Sequence, residues 1–170
     1  EREKKLFFCQ IEALETIIYI TEVAAKLGDS WIENTIRQSN QEANPLLYRI
    51  AFKMATGTGK TVVMAMIIAW HALNKFANPQ DARFSDTFLI VTPGITIRDR
   101  LRVLLPNDVG NYYHQRDILP QDLLEELHKV KIIVTNFHAF KLREKSDEAR
   151  LTKNILSTKT GAFTETPDEM

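Results

Sequence analysis

The chain has 170 residues, with 22 Lys and Arg against 22 Asp and Glu, a formal charge of zero and a hydrophobic share of 44%. That is one ordinary domain with enough apolar material for a core, which excludes a disordered or low-complexity chain. Charge neutrality excludes nucleic-acid binding through the field of the whole molecule and leaves it to local patches.

A single cysteine, Cys9, rules out an internal disulfide, disfavours a Cys-rich metal site and fits a reducing cytosol. No basic-then-apolar leader opens the sequence, and the longest apolar stretch, Thr61 to Trp70, is about half of what a bilayer span requires. The expectation is a soluble, cytoplasmic protein with no membrane association. A start at Glu1 rather than Met suggests a piece of a longer chain.

In chain order, Ile11, Leu14, Ile17, Ile18, Val23, Ala24 and Leu27 recur at helical spacing and predict one helix from Ile11 to Leu27. Ser30-Trp31-Ile32-Glu33 has the form of a capping box, so a second helix opens at Ser30 and ends before Asn44-Pro45. Leu46 to Met54 reads as a largely apolar strand. The ten residues after Lys60 are apolar on nearly every face and predict a helix packed on more than one side. Thr87 to Val91 is a short β-branched run ending at Thr92-Pro93, and a modest helix from Thr96 is stopped by Pro106. Gln121 to His128 reads as a helix, Val130 to Thr135 as a buried strand, and Lys141 to Arg150 as a solvated, charged helix. Ser157 to Met170 reads as loop or fraying end.

Three strands alternating with helices imply an α/β fold with a parallel sheet covered on both faces. Three ranges follow: an N-terminal helical pair over 1–45, an α/β unit over 46–150, and a loop or frayed end over 151–170.

The most informative stretch is Met54-Ala55-Thr56-Gly57-Thr58-Gly59-Lys60-Thr61. Gly57 and Gly59 lack Cβ atoms, so backbone N–H groups can close around phosphate oxygens, and a helix starting near Lys60 points its positive end at the same place. Lys60 supplies charge for β/γ-phosphates, and the Thr61 hydroxyl suits a magnesium ligand. The additional Gly of the standard phosphate loop is Met54 here. The stretch from Ala55 to Thr61 reads A-x-G-x-G-K-T, close to the A-x-x-G-x-G-K-T common in helicase-like motors.

Other segments narrow the reading. Upstream, the Gln10 amide has the donor and acceptor needed to read an adenine edge, although a polar residue at a helix start has the same appearance. Phe88-Leu89-Ile90-Val91-Thr92-Pro93-Gly94 and Val134-Thr135-Asn136 place small polar groups at strand C-terminal ends, where α/β sheets bind ligands and where phosphates of a nucleic acid can be met. Arg98, Arg100 and Arg102 read either as phosphate contacts or as a solvated helix face balanced by Asp99. Tyr112, Tyr113 and Trp31 suit base stacking, yet isolated aromatics of this kind more often pack. His71, His114, His128 and His138 show no metal-ligand spacing.

Together these motifs resemble the first motor domain of superfamily-2 helicases, a RecA-like fold. Residues 53–61, 88–101 and 133–143, with Leu104-Leu-Pro-Asn-Asp108 and Tyr112-Tyr113 between, resemble the ATP-dependent (R) subunit of type III restriction enzymes. The resemblance covers about Phe8 to Arg143. It implies an ATPase that translocates on double-stranded DNA, with cleavage in the whole enzyme and a DNA-methyltransferase subunit as partner. It assigns adenine to Gln10, and ATP with magnesium to Ala55, Thr56, Gly57, Thr58, Gly59, Lys60 and Thr61. Thr92, Pro93, Gly94, Thr135 and Asn136 are assigned to DNA, and Arg98 can add a contact.

Hydrolysis also needs carboxylates for magnesium and for the attacking water, which the family draws from an Asp-Glu pair directly after an apolar strand. Asp147-Glu148 follows a charged helical pattern and Asp168-Glu169 a polar segment, so neither fits, and no catalytic residue is assigned. The expectation is a fragment that binds nucleotide without turning it over. Two alternatives stay open: a P-loop phosphotransferase, and a non-catalytic nucleotide- or nucleic-acid-binding module. Six basic residues against three acidic ones between Lys129 and Arg150 predict backbone-directed, salt-sensitive binding beside Thr135-Asn136.

Overall fold

A computed structural model of the chain describes residues 4–140. In chain order it contains α1 (Phe8–Ile18), a π-helical turn (Tyr19–Val23), α2 (Ala24–Leu27), α3 (Ser30–Ala43), α4 (Lys60–Ala77), β1 (Thr87–Thr92), α5 (Ile95–Arg100), a 3-10 turn (Leu101–Leu104), α6 (Tyr112–Gln115), α7 (Gln121–Leu127), β2 (Lys131–Asn136) and a 3-10 turn (Phe137–Ala139). The described residues form two compact units, one from 4–87 with 103–131 and one from 88–102 with 132–140. The charged helix expected over 141–150, the tail over 151–170 and both Asp-Glu pairs lie outside the described residues.

In the first unit, α1 begins three residues earlier than the apolar periodicity indicates. The Phe7 N–H, which has no acceptor within the helix, donates to Gln10 Oε1 at 3.0 Å. Gly28, at φ 89°, ends α2 in the left-handed conformation that glycine adopts at least cost. The capping box expected at Ser30 does not form. Asp29 precedes the helix, its carboxylate accepts the Tyr19 hydroxyl, and Glu33 pairs instead with Arg37 one turn on, at 2.5 and 2.9 Å.

The strand expected from Leu46 to Met54 is also absent; the segment lies outside any regular element. A strand needs a neighbour to satisfy its N–H and C=O groups. Among the described residues the only sheet pairs β1 with β2. Leu46, Leu47, Tyr48 and Phe52 are exposed rather than packed. What holds the segment is the Asn40 side chain, which stands in for a strand. Its Oδ1 accepts the Arg49 N–H and its Nδ2 donates to the Arg49 carbonyl, both at 2.8 Å.

Helix α4 matches expectation most closely. Val62, Val63, Ala65, Met66, Ile68, Ala69 and Ala72 are buried, which at helical spacing covers more than half of its circumference. It packs on α1, α6 and α7 and stops at Asn78-Pro79. Trp70, His71 and Phe84 meet edge to face around its C-terminal half, with Trp70 Nε1 donating to Glu22 in the π-helical turn at 3.0 Å. Tyr113 is fully buried and donates its hydroxyl to the Leu104 carbonyl at 2.8 Å, so this tyrosine is a pillar of the core.

In the second unit β1 and β2 form a two-stranded parallel sheet. Beyond β1, Gly94 precedes α5, and its carbonyl accepts the Arg98 N–H at 3.1 Å. Beyond β2, the Asn136 side chain caps the 3-10 turn by accepting the Ala139 N–H at 3.0 Å.

Candidate functional site

The loop from Ala55 to Thr61 joins the irregular segment 46–54 to the start of α4. Gly57 (φ 83°) and Gly59 (φ 77°) both sit in the left-handed region, where a side chain costs about 1–2 kcal/mol. The two glycines differ in what surrounds them. A Cβ on Gly57 would meet nothing within 4 Å, whereas one on Gly59 would lie 2.3 Å from Gln10 Nε2. The loop is thus open at Gly57 and closed at Gly59.

Three side chains organise it. Lys60 Nζ and Thr58 Oγ1 both donate to the Ala55 carbonyl at 2.8 Å, in exposed positions. Gln10 Nε2 donates to the Thr58 carbonyl at 2.9 Å. Lys60 is the first residue of α4 and Thr61 the second, so the leading N–H groups of an 18-residue helix lie beside the Lys60 ammonium and the Thr61 hydroxyl. Triphosphate and magnesium fit this donor set: two Cβ-free positions, a helix N-terminus, an exposed ammonium and a hydroxyl.

Gln10 has the helix-start character and one contact that was not expected. It sits at a helix start and bonds Phe7 there, but it is also 4% exposed and tied to the loop. Sequence patterning carries no signal for that second contact, which joins residues 48 positions apart. Beside Ala55 and Thr58 opens a groove of about 1080 Å³, largely apolar, between α1, α3 and residues 49–55.

The second unit gathers the other candidates. Thr92 ends β1 and Pro93 and Gly94 follow it, while Thr135 and Asn136 end β2, so both strand ends carry their small polar residues. Thr92 is 2% exposed, and its hydroxyl points at the Gly94 and Thr135 carbonyls at 3.0 and 3.2 Å. Arg98 is partly exposed and forks onto its neighbour Asp99 at 2.9 and 3.1 Å, the charge balance that the solvated-face reading describes. Tyr112 lies under the Arg116 guanidinium, 5.3 Å from its ring centroid. Among the described residues no group of His, Cys, Asp and Glu is placed to hold a metal, and no helix is long and apolar enough to cross a membrane.

A parallel strand pair and a glycine loop opening a long buried helix define an α/β chain of partial RecA-like type. Residues 3–158 match the type III restriction enzyme res subunit family, and the chain belongs to that family. The family is that of a helicase-like, ATP-dependent restriction subunit. Nothing matches among curated proteins or among solved structures.

Proposed function

We propose that this chain is the ATP- and DNA-binding part of a DNA-translocating motor subunit that works with a DNA-methyltransferase subunit in the cytoplasm. Ala55 to Thr61 hold the triphosphate, Lys60 meets the β/γ-phosphates and Thr61 ligates magnesium. The base and ribose occupy the groove beside Ala55 and Thr58, whose volume is on the scale of a nucleotide site. Gln10, whose Nε2 donates to the Thr58 carbonyl, is the adenine-side residue. Pro93, Gly94, Thr135 and Asn136, with Arg98 nearby in sequence, lie along the DNA backbone. The carboxylates for hydrolysis come from outside the described residues.

The observation that carries this reading is the pair of left-handed glycines flanking Thr58 with α4 starting at the very next residue, Lys60. Magnesium-nucleotide neutralises that helix end and recruits the ammonium from the Ala55 carbonyl, an exposed bond that exchanges readily. In a calorimetric titration with Mg-ADP, Lys60→Ala should weaken binding by about 1.5–3 kcal/mol, the worth of a charge-assisted hydrogen bond. Equal affinity in the two proteins would overturn the assignment.

A further inference from the structure

Beside the Tyr113 hydroxyl, Gln10 and Thr92 are the buried polar side chains among the described residues. Gln10 is accounted for by the phosphate loop. Thr92 is not: a residue expected to touch nucleic acid is 2% exposed, and its hydroxyl faces inward.

The hydroxyl has one proton and two acceptors. The Gly94 carbonyl lies at 3.0 Å on the turn leaving β1, and the Thr135 carbonyl at 3.2 Å near the end of β2. The Gly94 carbonyl also accepts the Arg98 N–H, so the same atom fixes the first turn of α5. Asn136 directly follows Thr135, and its Oδ1 is engaged with the Ala139 N–H. That leaves the Asn136 amide N–H groups as donors, carried on a backbone whose position Thr92 helps to set. One buried hydroxyl thus ties the ends of two strands that are 43 residues apart in sequence.

We infer that Thr92 is a positioning residue, which sets the spacing between the Pro93-Gly94 turn and the Thr135-Asn136 strand end and does not itself touch the DNA. The inference rests on the reading that these strand ends meet a DNA backbone. It assigns recognition to Gly94, Thr135 and Asn136 and assigns Thr92 the geometry. A hydroxyl on a residue only 2% exposed cannot turn outward to a phosphate without giving up both inward acceptors, so its inward bonds persist when DNA is present.

The test measures binding of a short fluorescein-labelled DNA duplex to the 170-residue chain by anisotropy. Thr92→Val keeps the shape and removes the hydroxyl, and should weaken binding about ten-fold, the effect of losing one hydrogen bond that sets the spacing. Thr92→Ser restores the hydroxyl and should restore affinity. Thr92→Ala serves as a second variant in case valine impairs folding. Because Thr92 acts through its neighbours, Thr92→Val and Asn136→Ala should be non-additive, the double variant binding about as well as the weaker single one.

Additive losses would overturn the inference and make Thr92 a direct contact. Wild-type affinity in Thr92→Val alongside weakened Asn136→Ala would also overturn it while leaving the strand-end reading intact. Unchanged affinity in all variants would overturn that reading itself.

Discussion

The phosphate loop and the two strand ends are written in the same alphabet: short hydroxyl and amide side chains beside glycine. They use it in opposite ways. In the loop, Lys60 and Thr58 share one exposed carbonyl, that of Ala55. Water competes for such bonds and their net worth is small, so a phosphate can take the ammonium over. At the strand ends, Thr92 points its hydroxyl at two carbonyls from a position closed to solvent, and releasing them would leave that hydroxyl buried and unpaired. An exposed polar contact can be handed to a ligand, whereas a buried one holds the frame on which exposed groups are carried. Burial, which no motif records, separates the two roles.

The sharpest way to break this contrast lies inside the loop. Gly57→Ala places a methyl in open space and meets only the left-handed backbone, a cost of about 1–2 kcal/mol. Gly59→Ala meets the same backbone and also drives the Gln10 amide from the Thr58 carbonyl, raising the cost to about 2–4 kcal/mol. Urea unfolding of the two variants measures the gap. Replacing Gln10 by alanine in both backgrounds should close most of it. Equal destabilisation by the two glycine variants would mean that Gln10 does not hold the loop.

A second contrast comes from adjacent tyrosines. Tyr113 is fully buried and donates to the equally buried Leu104 carbonyl, and burial raises its hydroxyl pKa. Tyr113→Phe leaves that carbonyl without a donor and should cost about 1–3 kcal/mol. Tyr112 is partly exposed under Arg116, and Tyr112→Phe should change stability by no more than about 0.5 kcal/mol. Calorimetric melting separates them, and a larger drop for Tyr112→Phe would reverse the roles given to the pair.

Local chemistry was legible in the sequence wherever it is self-contained. The boundaries of α4 follow from Gly59-Lys60 and Asn78-Pro79, its burial on more than one side from its composition, and the ends of β1 and β2 from β-branched runs. What was not legible depends on partners distant in the chain. Leu46 to Met54 and Lys131 to Asn136 are both apolar runs, yet only the second has a strand beside it, and strand pairing is a property of two segments. The Ser30 capping box failed because Tyr19 engages Asp29 and Arg37 engages Glu33. The loop residues could be named from spacing alone. That Gln10 is tied to Thr58, and Thr92 to Thr135, needed the fold.

The smallest effect expected is a pH dependence in the aromatic cluster of the first unit. Burial against Trp70 and Phe84 lowers the pKa of His71 below its ordinary 6.5, because the charged imidazolium is poorly solvated there. The unfolded chain therefore binds a proton at His71 before the native state does. Stability is unaffected by this group well above pH 6.5, falls as pH drops below 6.5, and stops falling once pH passes below the native pKa. Asp81, held at about 2 chiefly by its hydrogen bonds to Arg83, titrates far below this window and cannot mimic the effect. Melting temperature should thus decline between pH 7 and pH 5 in the wild type, as a flank of the ~6.5 titration, and decline less in His71→Gln. Identical slopes in the two proteins would mean that His71 takes up its proton as readily in the folded chain as in the unfolded one, and that the cluster beside α4 is more open to water than its packing indicates.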